Sequence, residues 1–132
     1  MTQQDTIQFW FNSSLDDLKT AKAMLAASRY NYAMFMCQQA LEELLKAIIV
    51  AQTNGHPPFI HDLVTLSQKI NLKIPKHISE NLKNINPHYI AARYKIQRFD
   101  PKLYNHISAK KTIQVTEKTI KWFIKKMELK KY

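Results

Sequence analysis

Apolar positions along the chain fall into three long runs with helical spacing. Ile7, Phe11, Ser14, Leu18, Ala21 and Leu25 recur at alternating steps of four and three, with Asp16, Lys19 and Lys22 off the stripe, which predicts an amphipathic helix of about six turns. Trp10, Leu15 and Met24 widen its apolar face to one side, so it should touch more than one neighbour. Ser28-Arg29-Tyr30-Asn31 interrupts the pattern, and Asn31 is suited to cap the next helix. From Tyr32 to Gln52 the four-three rhythm resumes as Ala33, Cys37, Ala40, Leu44, Ala47 and Ala51, flanked by Phe35, Met36, Leu41, Leu45, Ile48 and Ile49. A helix apolar around most of its circumference belongs at the centre of the fold. Its alanines would let a neighbouring backbone come close.

Asn54-Gly55 predicts a left-handed stop, and Pro57-Pro58 prevents resumption. Asp62 should cap a short helix carrying Leu63, Leu66 and Ile70, and a second short helix should open at Pro75 and run through Ile78, Leu82 and Ile85. Tyr89 to Tyr94 can form one more helical turn, and Lys95 to Asn105 reads as a loop. Ala109, Ile113, Thr116, Ile120, Phe123 and Met127 then mark a final helix, roughly 30 Å long at about 1.5 Å per residue. The whole predicts an all-α fold, an up-and-down antiparallel bundle of four to five helices.

At 132 residues the chain has the size of one domain, taken here as 1–132. A single glycine leaves too few turn signals for a sandwich or barrel. Cys37, the only cysteine, excludes an intrachain disulfide and a thiolate-rich metal site and reads as a small buried hydrophobe. Thr2 to Asp5 do not resemble a secretion signal, and Leu44 to Ala51 is broken at Lys46. The expectation is a cytoplasmic protein without a membrane span.

The net charge of +10 favours polyanions or acidic partners. Lys110, Lys111, Lys118, Lys121, Lys125 and Lys126 give the final helix a basic face. Glycine-rich phosphate loops, His-Glu-x-x-His and Glu-x-x-His pairs are missing from the sequence, so no metal or cofactor is expected. Glu43 borders the apolar stripe of the central helix, where an unpaired carboxylate is costly. Arg93 is its expected partner, with Lys46 the alternative. Such a pair would put Arg93 and Tyr94 at a cleft edge, able to grip phosphate and stack on a base.

Gln38-Gln39-Ala40-Leu41-Glu42-Glu43-Leu44-Leu45-Lys46-Ala47, then His61-Asp62-Leu63 with Leu66, then Tyr89-Ile90-Ala91-Ala92-Arg93-Tyr94 stand in an order and at distances that resemble the prokaryotic HEPN domain. The likeness spans about residues 8 to 125 and includes Trp10 and Asp17-Leu18. It implies a dimerising helical bundle with one of two occupations. Many such domains are metal-independent ribonucleases, often toxins, with Arg, four to six residues, then His at the dimer cleft. Others bind nucleotides or accompany a minimal nucleotidyltransferase.

This sequence departs from the nuclease pattern. The three arginines are Arg29, Arg93 and Arg98, and the positions where the motif needs histidine hold Met34, Phe35 and Met36, then Arg98, Phe99 and Asp100, then Leu103, Tyr104 and Asn105. The expected function is therefore a homodimeric module that binds nucleotide or RNA, or partners a nucleotidyltransferase. Its cleft would be lined by His61, Arg93, Tyr94, Glu43, Lys46 and the basic final helix. The competing expectation is a divergent ribonuclease of a toxin–antitoxin pair, with Arg98 as phosphate clamp and His106 as general acid or base.

Overall fold

A computed structural model describes residues 2–129. The helices are α1 (Gln3–Ala26), α2 (Tyr30–Thr53), α3 (Leu63–Gln68), α4 (Lys76–Ile85), α5 (His88–Ala91) and α6 (His106–Met127), with a 3-10 turn at Ile96–Phe99. Among the described residues there is no strand. The fold is the all-α bundle that the spacing predicts.

Local chemistry sets the ends of these helices. Thr2 caps α1 through a reciprocal pair of bonds with Asp5, and Asn105 does the same for α6 with Ser108. Asp62 accepts from the Thr65 amide and starts α3. Asn54, at φ 59°, supplies the left-handed stop of α2, while Gly55 has an ordinary negative φ. Asn31 does not cap α2. That helix opens two residues earlier, at Tyr30 after Arg29, and the Asn31 amide instead donates to the Ala92 carbonyl at 2.9 Å.

Side-chain pairs fix the directions. Tyr30 meets His106 and Met34 meets Ser108, so α6 starts beside the start of α2 and runs parallel to it. α1 runs against both, as its late residue Lys22 pairs with Glu117 of α6 at 2.6 Å. Gln52 bonds the backbone of Asn71 before α4, whereas Asn31 meets Ala92 after it, so α4 is antiparallel to α2. α1, α2, α4 and α6 thus alternate in direction, and α3 and α5 fill the connections.

α2 is the centre, as its nearly continuous apolar pattern requires. Ala33, Cys37, Ala40, Leu44, Ala47 and Ile48 are wholly inaccessible, and Phe123 and Ile120 of α6, Leu63 and Leu66 of α3 and Leu82 of α4 complete the core. α1 makes its most extensive contact with α2. Small side chains bring the two backbones close enough for the buried Ser14 hydroxyl of α1 to donate directly to the Ala40 carbonyl of α2 at 2.6 Å. Burial pushes the Cys37 thiol up to about 12, leaving it an inert small hydrophobe.

A larger side chain in the α1–α2 seam must force these helices apart. Ala40→Leu should lower unfolding free energy by about 1–3 kcal/mol, the usual range for an overpacked core. Urea denaturation checks this, and an unchanged midpoint would show that the seam is looser than described.

Candidate nucleic-acid interface

The chain contains three arginines against seventeen lysines, and all three arginines gather around the α1–α2 turn. That turn is tight because Ser28 adopts a left-handed φ of 60°, which sets Arg29 at the head of α2. A groove of roughly 680 Å³ is lined by Arg29, Tyr32, Phe35, Met24, Met36 and Arg93. A second depression of roughly 320 Å³ shares Arg29 and Tyr32 with it and adds Ser28, Asn31, Arg98 and Phe99. The two therefore form one continuous basic surface.

Each guanidinium lies against a ring. Arg29 is 5.2 Å from the Tyr32 centroid, Arg93 is 4.7 Å from Phe35 and 4.8 Å from Tyr94, and Arg98 is 4.4 Å from Phe99. Such packing covers the faces of the cations and leaves their N–H edges for an anion. Arg98 also donates to the Arg93 carbonyl at 2.7 Å, tying the 3-10 turn to the end of α5. Tyr94 and Phe99 are largely exposed, at 67% and 71%, so their rings remain open to stack on a flat ligand.

The expected Glu43–Arg93 pair is not formed. Arg93 packs on aromatic rings, and Glu43 turns instead to Asp17 of α1. Lys46, the alternative partner, is buried and bonds Glu42 at 3.0 Å with its ammonium 5.3 Å from the Trp10 ring. Neither Glu43 nor Lys46 lines the arginine groove. Periodicity located Glu43 correctly at the edge of the apolar face, but it could not say that an acid of α1 would be the neighbour.

Burial, then the hydrogen bond and negative charge of Asp17, then the charge of Glu42 push the Glu43 carboxyl up to about 9, with Lys46 acting the other way. Glu43 therefore holds its proton at neutral pH, and its Oε1 has no hydrogen-bond partner.

His61 lies apart from Arg93, in a depression of roughly 280 Å³ with Asp62, Asn86, Pro87, Tyr89 and Ile90. Its Nδ1 donates to Glu42, 3.1 Å from both carboxylate oxygens, and its ring stacks on Tyr89 at 4.5 Å and 16°. His88 opens α5 and is hydrogen-bonded to the Tyr104 hydroxyl at 2.9 Å. Burial lowers His88 to about 4 and raises the Tyr104 phenol, so both stay neutral.

His106 is the exposed first residue of α6, its ring edge-on to Tyr30 at 5.9 Å. No hydrogen bond joins it to Arg98 among the described residues, although both pack around the Ser28–Tyr32 segment. Lys110, Lys111, Lys118, Lys121, Lys125 and Lys126 are all exposed, as expected, and none lines the arginine surface. The structure thus separates three features that the sequence pattern places in one cleft: the arginine groove, the His61 depression and the lysine face.

Arg29, Tyr32, Phe35 and Asp17 were missed as members of these sites. A signal existed for the first. Every arginine is followed directly by an aromatic residue, as Arg29-Tyr30, Arg93-Tyr94 and Arg98-Phe99. Among the described residues no group of His, Cys, Asp or Glu has metal-binding spacing, and no helix is long and apolar enough to cross a membrane.

The Glu43 proton gives a pH signature. An ordinary glutamic acid titrates at 4.5 and this one at about 9, so the folded chain keeps a proton that the unfolded chain releases between those values. The group's contribution to stability is full below the lower value and is lost as pH rises through the upper. Glu43→Gln retains the shape and a donor toward Asp17 but cannot titrate, so its melting temperature should gain on the wild type progressively from about pH 5 to about pH 8.5. A difference that stays constant with pH would show that Glu43 is ionised in the folded protein.

Residues 7–127 match the family model of the HEPN domain. No curated protein matches the chain. Two solved structures are similar in fold. TT1696 from Thermus thermophilus superposes with a TM-score of 0.80 at 22% identity, covering 91% of this chain and 97% of that one. ST0689, an archaeal HEPN homologue, does so with a TM-score of 0.71 at 20% identity, covering 93% and 97%.

Proposed function

This chain belongs to the HEPN domain family, and from that premise we propose that it is a binding module whose ligand is a phosphate-bearing nucleotide strand, RNA foremost, held in the arginine–aromatic groove. The convergence of all three arginines on one surface carries the reading. Guanidinium N–H edges suit phosphate oxygens bidentately, and the open Tyr94 and Phe99 rings suit bases. The lysine face of α6 adds long-range attraction without a shaped site.

Ile90, Ile96, Leu103 and Ile107 are exposed along the same stretch of chain. Such an apolar strip suits the homodimer, or the minimal nucleotidyltransferase partner, that the family resemblance implies. The divergent ribonuclease is the second reading. It is favoured by Arg98 and His106 both packing around the Ser28–Tyr32 segment, where a second copy could complete a cleft.

Fluorescence anisotropy with a labelled single-stranded RNA tests the first reading. Affinity should fall steeply with salt, as phosphate contacts release counterions, and Arg93→Ala should weaken binding by about ten-fold, the loss of one charge-assisted bidentate contact. Equal affinity in the variant would remove the groove from the account.

Incubating the same RNA without metal tests the second. The wild type should bind without cutting; cleavage that disappears in His106→Ala would replace the binding module by the nuclease.

A further inference from the structure

α5 leads directly into the groove's Arg93, two residues past its end, and is only partly covered. None of its four residues is buried, although Ala92, just beyond its end, is. The helical path continues past its last residue, with the Tyr94 amide donating to the Ile90 carbonyl at 2.8 Å, so Arg93 stands one turn after Tyr89. Side chains i and i+4 on a helix share a face. The Tyr89 ring is thus one of the holds on Arg93, beside the Asn31 bond to the Ala92 carbonyl and the Arg98 bond to the Arg93 carbonyl.

The Tyr89 ring is fixed by His61, and His61 by Glu42. The Glu42 side chain is 5% exposed and the His61 side chain 51%, so the histidine links a buried carboxylate to the surface. Gln38 secures the backbone of the same residue, donating to the His61 carbonyl at 2.9 Å, and Lys46 holds the other side of Glu42. A buried ion pair such as Glu42–Lys46 often gives no more stability than apolar residues of equal volume.

We propose that Glu42 and His61 are positioning residues for the groove: they hold α5, through Tyr89, in the orientation that presents Arg93 to a phosphodiester. The ligand part of this inference rests on the reading of the groove as a phosphate site. The groups facing His61 are Glu42 and Lys46 from α2, Tyr89 from α5 and its own neighbour Asp62.

Hydrogen exchange tests the structural half without any ligand. In His61→Ala the Ile90–Tyr94 amides should lose protection several-fold while the α1 and α2 amides keep theirs. His61→Asn, whose amide can still donate to Glu42, should restore part of it. Unchanged protection in His61→Ala overturns the proposal whether or not RNA binds.

The functional half uses an oligoribonucleotide at fixed ionic strength and pH. His61→Ala should weaken binding several-fold, His61→Asn should recover part of the loss, and Arg93→Ala should weaken binding by itself. Wild-type affinity retained in His61→Ala overturns the proposal while leaving the groove intact. RNA binding that ignores Arg93→Ala removes the groove, and with it the ligand half of the proposal. The α5 exchange result still decides the positioning half.

Discussion

The seam between α1 and α2 is the constraint on which the other features depend. Ala21 on one side and Ala33, Ala40 and Ala47 on the other are wholly inaccessible. Where these small side chains lie, a serine hydroxyl can span from one helix to the backbone of the next. Close packing over that length leaves little freedom at the connecting turn, and the chain reverses within Ala27 to Arg29 by placing Ser28 in the left-handed region. Non-glycine residues rarely adopt that conformation unless their surroundings enforce it. The reversal puts Arg29 and Tyr32 where residues from the far end of the chain can meet them. The same seam sets Asp17 of α1 against Glu43 of α2, which is why a carboxyl at the edge of the core keeps its proton.

α2 also carries a polar line through an otherwise apolar centre. Gln38, Glu42 and Lys46 repeat every fourth residue, all three are buried, and each finds a partner in the next or in His61. Three buried polar residues at one spacing cost desolvation, and only mutual satisfaction makes that tolerable. Their geometric effect is to anchor the segment around His61 after the proline-rich loop, beside the buried Leu63 and the Leu63 amide bond to Asn86. A purely apolar stripe would have packed as well but would not have chosen a register for that segment. On this view the polar line specifies where the α3–α5 layer sits, while Leu63, Leu66, Ile78 and Leu82 supply most of its adhesion.

The long helices were legible because periodicity reports burial directly. Ile7, Phe11, Ser14, Leu18 and Ala21 make one stripe in the sequence and are the buried face of α1. Asp62 has the sequence setting of a cap and is one, because capping is a local event between residues three apart. The site was less legible because it is built from contacts that a helical pattern does not encode. Spacing says that Glu43 faces inward, but whether it meets Arg93 or Asp17 depends on which helix lies against that side of α2. Asn31 shows the same limit at short range. Its side chain is suited to capping, yet the carbonyl of Ala92, sixty-one residues away, is the acceptor it finds.

The two kinds of cation divide the electrostatic work of the molecule. The α6 lysines are exposed on a helix whose opposite face is committed to the core, so they raise the potential around the protein without shaping any site. A lysine is a strongly hydrated point charge on a flexible stem and gives up little by remaining in water. Arginine is planar, more weakly hydrated and able to lie against a ring while its edge stays free. A chain needing only positive charge could use either residue anywhere on its surface. Here the arginines occur only where an aromatic residue follows them in sequence and where two depressions share a wall. That placement is expected if the lysines bring a polyanion near and the arginines decide how it lies.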